Sequence, residues 1–468
     1  MRCFLHKKRF RIGEKPLFGT FFCSEIKAVR GAVDFELQMV YNRNKKRPPP
    51  TIDEVLYRII IYKYKDWFYM TRDKLPFRCA DILLPKRGFE KWATVACDQF
   101  TSEPEYWNDV ERFVGDAPSA LHITLPEIYL DDDAASRIRD IDRNMFEYLS
   151  CGVFDEFKND MVYIERTLPG GLIRRGIVGA VDLEAYSFER GSDAMIRATE
   201  GTVLDRIPPR VKIRRGAPLE LPHVMLLIDD MKMSVIEPCS DEDKTPAYDF
   251  RLMQGGGSIR GWHLSDKTQE RIENALCELA GDAENPFLFA VGDGNHSLAT
   301  AKACYEQNKT PLNRYALVEV VNIHDPALHF EPIYRVMFNV DPDDVISGLR
   351  SRFSAGGPQK VEYITEHGVG TVFMPPLSAL PVGTLQIFID EYLAAHKDAK
   401  VDFIHGEDVA RSLAARRFSV GFIFDGMTKN QLFTTVERDG ALPRKTFSMG
   451  EAQSKRYYIE ARRIDCAK

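Results

Sequence analysis

From residue 285 onward, short apolar runs alternate with stretches whose apolar positions recur at helical spacing. The runs predict strands near 287–292, 315–321, 333–339, 371–374, 401–404 and 420–424. The periodic stretches predict helices near 265–280, 297–309, 342–353, 385–397, 406–416 and 428–438. Upstream the pattern is less even. Ile82-Leu83-Leu84-Pro85 and Trp92-Ala93-Thr94-Val95-Ala96-Cys97 read as strand, turn, strand. Thr101 to Glu105 opens a helix reaching about Val114, with Ser102 as N-cap, Pro104 in the first turn and both glutamates at the positive end. Asp131-Asp132-Asp133 opens another helix to about Ser150, and a helix start explains the triplet more simply than a metal site does. Met161 to Leu183 reads as a hairpin turning at Gly170-Gly171, and Val224 to Ile228 as a short buried strand. Gly255-Gly256-Gly257 reads as a loop between strands. The whole is α/β or α+β material, a single unit of two lobes with no internal repeat and no long linker after Met70.

The first 69 residues do not share this pattern. Their aromatics (Phe18, Phe21, Phe22, then Tyr62, Tyr64, Trp67) follow neither the strand nor the helix period, and Lys45-Lys46-Arg47-Pro48-Pro49-Pro50 is a linker by composition. Residues 1–75 hold 17 Lys+Arg against 8 Asp+Glu, or +9, so the net charge of −6 leaves −15 for the rest. The expectation is that residues 1–69 form a basic extension outside the fold and that Met70 is the natural start. The alternative is a basic arm for an acidic partner. An acidic body argues against nucleic-acid or membrane-surface binding by the main fold.

No run reaches the roughly 18 apolar residues of a membrane-spanning helix. The start lacks the apolar core of a signal peptide. Nine scattered cysteines, none in a C-x-x-C pair, read as reduced thiols of a cytoplasmic protein. The sequence does not indicate an oligomeric state.

Three segments carry candidate chemistry. In the first, the strand Phe287 to Val291 runs into Gly292-Asp293-Gly294-Asn295-His296-Ser297 and then a helix. A helix start offers free N–H groups and a positive dipole end to an anion, and the two glycines let a phosphate approach the backbone. Asp293 is suited to a magnesium ion or a hydroxyl, and His296 to acid–base work or a phosphate contact. A capped strand-to-helix turn would look the same. In the second, Arg197-Ala198-Thr199-Glu200-Gly201-Thr202, Asp205-Arg206 and Pro208-Pro209-Arg210 read as a loop. Its arginines suit phosphate or carboxylate, and Glu200 suits a general base, although a solvated ion-pair loop fits too. In the third, Gly440 to Ala452 places Arg444 and Lys445 among hydroxyls, either as an anion clamp or as a plain surface turn. No H-E-x-x-H, G-x-S-x-G or dinucleotide G-x-G-x-x-G is present. His324-Asp325 reads as a structural loop pair.

From about Phe77 to Ile464 the chain resembles the bacterial and archaeal family of domain of unknown function one thousand and fifteen. The resemblance rests on Asp81-Ile82-Leu83-Leu84-Pro85-Lys86, Val95-Ala96-Cys97-Asp98-Gln99-Phe100, Pro126 to Leu130, Gly179 to Glu184, Gly292 to Ser297 and Leu442 to Ser448. The family's A-D-G-H-H-R-Y motif is similar to that of the ParB/sulfiredoxin-like fold, which includes free-serine kinases. The resemblance thus implies a mixed-sheet core of that kind. It also implies a nucleotide (ATP, ADP or CTP), magnesium, and a small hydroxylated substrate such as free serine. Asp293, Gly294 and His296 match that motif, whereas Asn295 replaces its first His and Ser297 its Arg. The family's H-E-R-T aligns with Thr199-Glu200-Gly201-Thr202, keeping the Glu and the Thr. The implied roles are Glu200 as base, Asp293 at the magnesium, and His296, Gly292, Gly294, Asn295 and Ser297 around the phosphates. Arg444 and Lys445 would neutralise charge, and Arg197, Arg206, Arg210 or Lys445 would replace the lost cations. A nucleotide-binding regulator without catalysis and a hydrolase on the same site remain open.

Overall fold

The computed structural model describes residues 70–130, 134–201, 207–221, 223–281 and 286–466. The basic extension 1–69, the acidic triplet 131–133 and Asp205-Arg206 lie outside the described residues. Arg72–Ala280 and Asn285–Lys468 form one compact unit. The second unit, Met1–Thr71 with Gly281–Glu284, falls almost wholly outside the description. Among the described residues no helix is long and apolar enough to cross a membrane.

The chain is a mixed α/β fold built on two sheets. The larger contains β1 (Phe77–Arg78), β2 (Val162–Thr167), β3 (Ile173–Asp182), β4 (Tyr186–Ser187), β5 (Ile196–Ala198), β6 (Met225–Ile228), β7 (Lys244–Arg251), β8 (Ser258–Leu264), β9 (Phe289–Asp293) and β10 (Tyr315–Asn322). Its order is β7-β8-β2-β3-β10-β6-β9-β5-β4, with β1 beside the end of β3. The pairs β6·β10, β9·β5 and β5·β4 are parallel and the others antiparallel. Every side chain of β6 is buried, which is why its sequence is a continuous apolar run rather than an alternation.

The smaller sheet contains β11 (Phe330–Phe338), β12 (Gln359–Thr365), β13 (Gly368–Met374), β14 (Lys400–His405), β15 (Ser419–Ile423) and β16 (Phe447–Met449). Its order is β13-β12-β15-β11-β14, all antiparallel, and β16 pairs with the start of β11. Val345, Leu349, Leu385 and Ile389 cover Val336, Val361, Val420 and Phe422 in one cluster, which also takes in Met225, Leu227 and Ala290 of the larger sheet. The two sheets therefore share a core.

The helices used below are α1 (Pro104–Val114), α2 (Ala134–Ser150), α3 (Ile207–Arg215), α4 (Asp266–Ala280) and α5 (Asn295–Gln307). Residues near the C-terminus tie the body together. Tyr457–Tyr458 pairs with Thr94–Val95, and Arg462–Arg463 with Leu219–Glu220. Trp92 Nε1 donates to the Ile459 carbonyl at 2.9 Å.

Several expectations change. Trp92 ends a helical turn (Phe89–Trp92), so only Thr94–Val95 is a strand. The strands at 80–85 and 94–95 pair with Phe154–Asp160 and Tyr457–Tyr458, not with each other. The N-cap of α1 is Glu103 rather than Ser102, because Pro104 fixes the first turn one residue later than a Ser102 cap would. The segment read as a loop around residue 200 starts as strand β5 and resumes as α3. His324-Asp325 is structural: His324 Nε2 lies 2.6 Å from Asp229 Oδ1, and Asp325 accepts from the Arg175 and Ala327 N–H groups.

Candidate functional site

Strand β9, inside the larger sheet, ends at Asp293, Gly294 turns the chain at φ 79°, and α5 begins at Asn295. A side chain on Gly294 would strain that left-handed turn, and its Cβ would lie 3.0 Å from the Val224 backbone. At Gly292 a Cβ would lie 2.8 Å from Leu227 Cγ and 2.9 Å from Met449 Cε. Asp293 Oδ1 accepts from the Gly294 N–H at 3.0 Å, and Oδ2 lies 3.4 Å from Lys455 Nζ. The Asn295 amide points back to the Val291 carbonyl, while its buried Oδ1 meets no hydrogen-bond donor among the described residues.

Ser297 Oγ lies 3.2 Å from His223 Nε2, and His223 Nδ1 lies 2.7 Å from the Tyr458 hydroxyl. Asp98 Oδ2 is 3.8 Å from the same Nε2. Burial works against the Asp98 charge, but His223, the Gln99 amide and Lys455 hold its carboxyl below the usual range. A carboxylate beside Nε2 favours a proton on that nitrogen.

Glu200 follows β5 and sits beside the segment carrying Arg444 and Lys445. Leu442 N–H donates to the Thr199 carbonyl at 2.7 Å, and Glu200 bridges to Leu442. The backbone N–H groups of Lys445 and Thr446 act on the Glu200 carboxylate and favour its charged form. Lys445 has φ 52°, a left-handed turn that aims successive N–H groups to one side, as in an anion nest. On the other side of those peptides lies Arg335, fully buried. Its Nη2 donates to the Arg444 carbonyl and its Nη1 to the Lys445 carbonyl, both at 2.9 Å. Two peptide groups thus lie between a buried cation and the Glu200 carboxylate. Burial pushes the Glu200 carboxyl up, Asp293 adds to this, and the two N–H groups and Arg335 oppose it; the net direction is upward. Burial also brings the Arg335 guanidinium down to about 10, against the pull of Glu200.

These parts line one cleft of ≈ 850 Å³. Glu200, Gly292, Asp293, Gly294, Asn295, His296, Ser297, Arg444 and Lys445 all reach it, while Arg206 lies outside the described residues. Of the other arginines, Arg210 lines the cleft paired with Glu127. Arg197 instead lies over the Phe287 ring and donates to the Ala194 carbonyl. The segment 440–452 is not a plain surface turn, since Leu442, Thr446, Phe447 and Met449 are buried. Asp98, His223, His405 and Lys455 join the cleft without having been singled out in the sequence. Burial, and then Lys445 and Lys455, push the His405 imidazole down. Lys445, Arg444 and Lys455, the last beside Asp293, all line the cleft. The cleft can hold a polyanion between those cations and the start of α5, with Glu200 available for a proton.

Similarity to solved structures is loose. A free serine kinase mutant in complex with AMP shares 10% identity over 60% of this chain and 90% of its own, with a TM-score of 0.36. The same kinase with ADP gives the same values. A conserved hypothetical protein from Pyrococcus furiosus shares 11% identity over 60% of this chain and 93% of its own, with a TM-score of 0.34. No curated protein matches the chain. The model of the family described as "Protein of unknown function (DUF1015)" matches residues 75–462, and the chain belongs to that family.

Proposed function

We propose that the cleft binds a nucleotide (ATP, ADP or CTP) by its phosphates and transfers a phosphoryl group to the hydroxyl of a small metabolite such as free serine. The observation that carries this is the arrangement around Glu200. A carboxylate on which two peptide N–H groups act shares a cleft with Arg210, Arg444, Lys445, Lys455 and a glycine-flanked helix start. Phosphoryl transfer needs mostly positioning and charge neutralisation. The N–H groups opening α5, His296, Arg444 and Lys445 hold the phosphates. The acceptor hydroxyl oxygen bonds to phosphorus, its proton passes to Glu200, and the shortened nucleotide leaves. The upward shift of the Glu200 carboxyl brings it nearer the range of an effective base. Among the described residues no three His, Cys, Asp or Glu side chains gather as a metal-ligand set. Magnesium is commonly held by one or two carboxylates plus phosphate oxygens, and Asp293 offers one such carboxylate. When bound, the ion would neutralise charge on the phosphates.

One observation favours a second reading, nucleotide binding without transfer. Lys455 stands 3.4 Å from Asp293, where a cation would bind. The experiment is a thermal-shift matrix of nucleotides and hydroxylated metabolites with magnesium, read beside turnover. Glu200→Gln is expected to lower turnover by about 10²–10⁴-fold and keep nucleotide stabilisation. Stabilisation without turnover would select the second reading. A cleft indifferent to every nucleotide would sink both.

A further inference from the structure

Behind the start of α5 lies a second space of ≈ 160 Å³. Its walls are apolar, chiefly Ile123, Leu125, Met145, Leu219, Leu298 and Leu317, all at most one-tenth exposed. Four residues line both this chamber and the cleft: Glu127, Arg210, His223 and Ser297. Glu127 pairs with Arg210, and His223 with Ser297, so the shared wall is made of two polar pairs. The charged groups further inside are engaged with one another: Glu220 accepts from Arg462 at 2.7 Å and pairs with Arg214.

We propose that this chamber receives an apolar substituent of the acceptor molecule, so that the substrate is a hydroxylated metabolite carrying one aliphatic or aromatic arm of about benzene size. The proposal rests on the phosphotransfer reading for the polar end of that molecule. Size supports it, because an apolar cavity of roughly 150 Å³ takes up benzene. Wall chemistry favours an apolar arm over the nucleotide base as occupant. A base edge needs partners, and the charged side chains of the wall are paired with one another, Glu127 with Arg210 and Glu220 with Arg214, so a base would have to compete with those pairs. The arm would enter past His223 and Ser297, leaving the hydroxyl end in the cleft with Glu200.

The test uses the full chain and two cavity-filling variants, Ala301→Leu and Ala217→Leu, at buried wall positions outside the cleft. Two variants guard against one that fails to fold. Benzene alone is expected to raise the wild-type melting temperature and to leave both variants unmoved. Phenylserine is expected to bind at least about tenfold more tightly than serine to wild type, with the preference lost in the variants and ATP stabilisation unchanged. No benzene response together with equal binding of serine and phenylserine overturns the proposal. So does a filling variant that weakens ATP and spares phenylserine, since the base would then be the occupant. If phenylserine binds with the expected preference but no nucleotide turns over, the phosphotransfer reading fails and the chamber assignment stands.

Discussion

Glu319 on β10 lies 2.5 Å from one guanidinium nitrogen of Arg456 and 3.4 Å from Arg174, and Arg456 also donates to Glu460 at 2.6 Å. Burial opposes the Glu319 charge, but the two arginines win and hold its carboxyl below the usual range. Arg335 is as deeply buried as these arginines, yet its donors go to three backbone carbonyls and the Gln386 side chain. The first cluster is a closed set of charges inside a sheet. The second is open, because its countercharge is Glu200, reached across two peptide groups on the cleft wall. The same residue type therefore stabilises the fold in one place and tunes a cleft group in the other.

The comparison can be broken first at its closed side. Glu319→Gln takes the carboxylate from Arg174 and leaves Arg456 with Glu460 alone, and is expected to cost about 3–5 kcal/mol in a denaturant titration. Arg335→Met is expected to cost less, about 1–3 kcal/mol, from carbonyls left without donors. Its distinctive effect is on pH. The folded Glu200 carboxyl lies above its unfolded value, so the folded state holds that proton more tightly. Stability therefore falls as pH rises from the unfolded pKa of about 4.3 toward the folded one. Removing Arg335 raises the folded value further, and the fall should extend to higher pH in urea unfolding run across a pH series. A fall that ends at the same pH in both proteins would detach Arg335 from Glu200. Smallest is the exposed pair Arg352–Glu391, at 2.9 Å. Arg352→Ala should leave the urea midpoint almost unmoved, and less moved still in high salt.

Legibility in the sequence followed the same division. Between residues 287 and 439 the alternation of apolar runs and helical periods located all but one element, because those signals are local, whereas β16 and the short strands at 457–458 and 462–463 were not read. The turn Gly292 to Ser297 was legible for the same reason: glycines, a polar run and a helix start stand together in the chain. Strand β12 (Gln359–Thr365) was missed, since its burial is uneven and its neighbour β13 carries exposed Val369 and Phe373. His223, Lys455 and Arg335 were missed for a different reason. Each has its partner far away in sequence, such as Tyr458 for His223, Asp293 for Lys455 or Arg444 for Arg335. Asp98 stood in a recognised stretch, but its chemistry became visible only beside His223.

The tie between Thr199 and Leu442 also bears on the order in which the protein matures. The turn that starts α5 is nearly local and can form early. The nest that holds Glu200 needs residues 442–446, and the ring of His223 waits for Tyr458. Closing loops of that length is slow relative to forming a helix. A refolding chain should therefore recover its helical signal before it regains affinity for any cleft ligand, with an interval in which the body is compact and the cleft is not yet assembled.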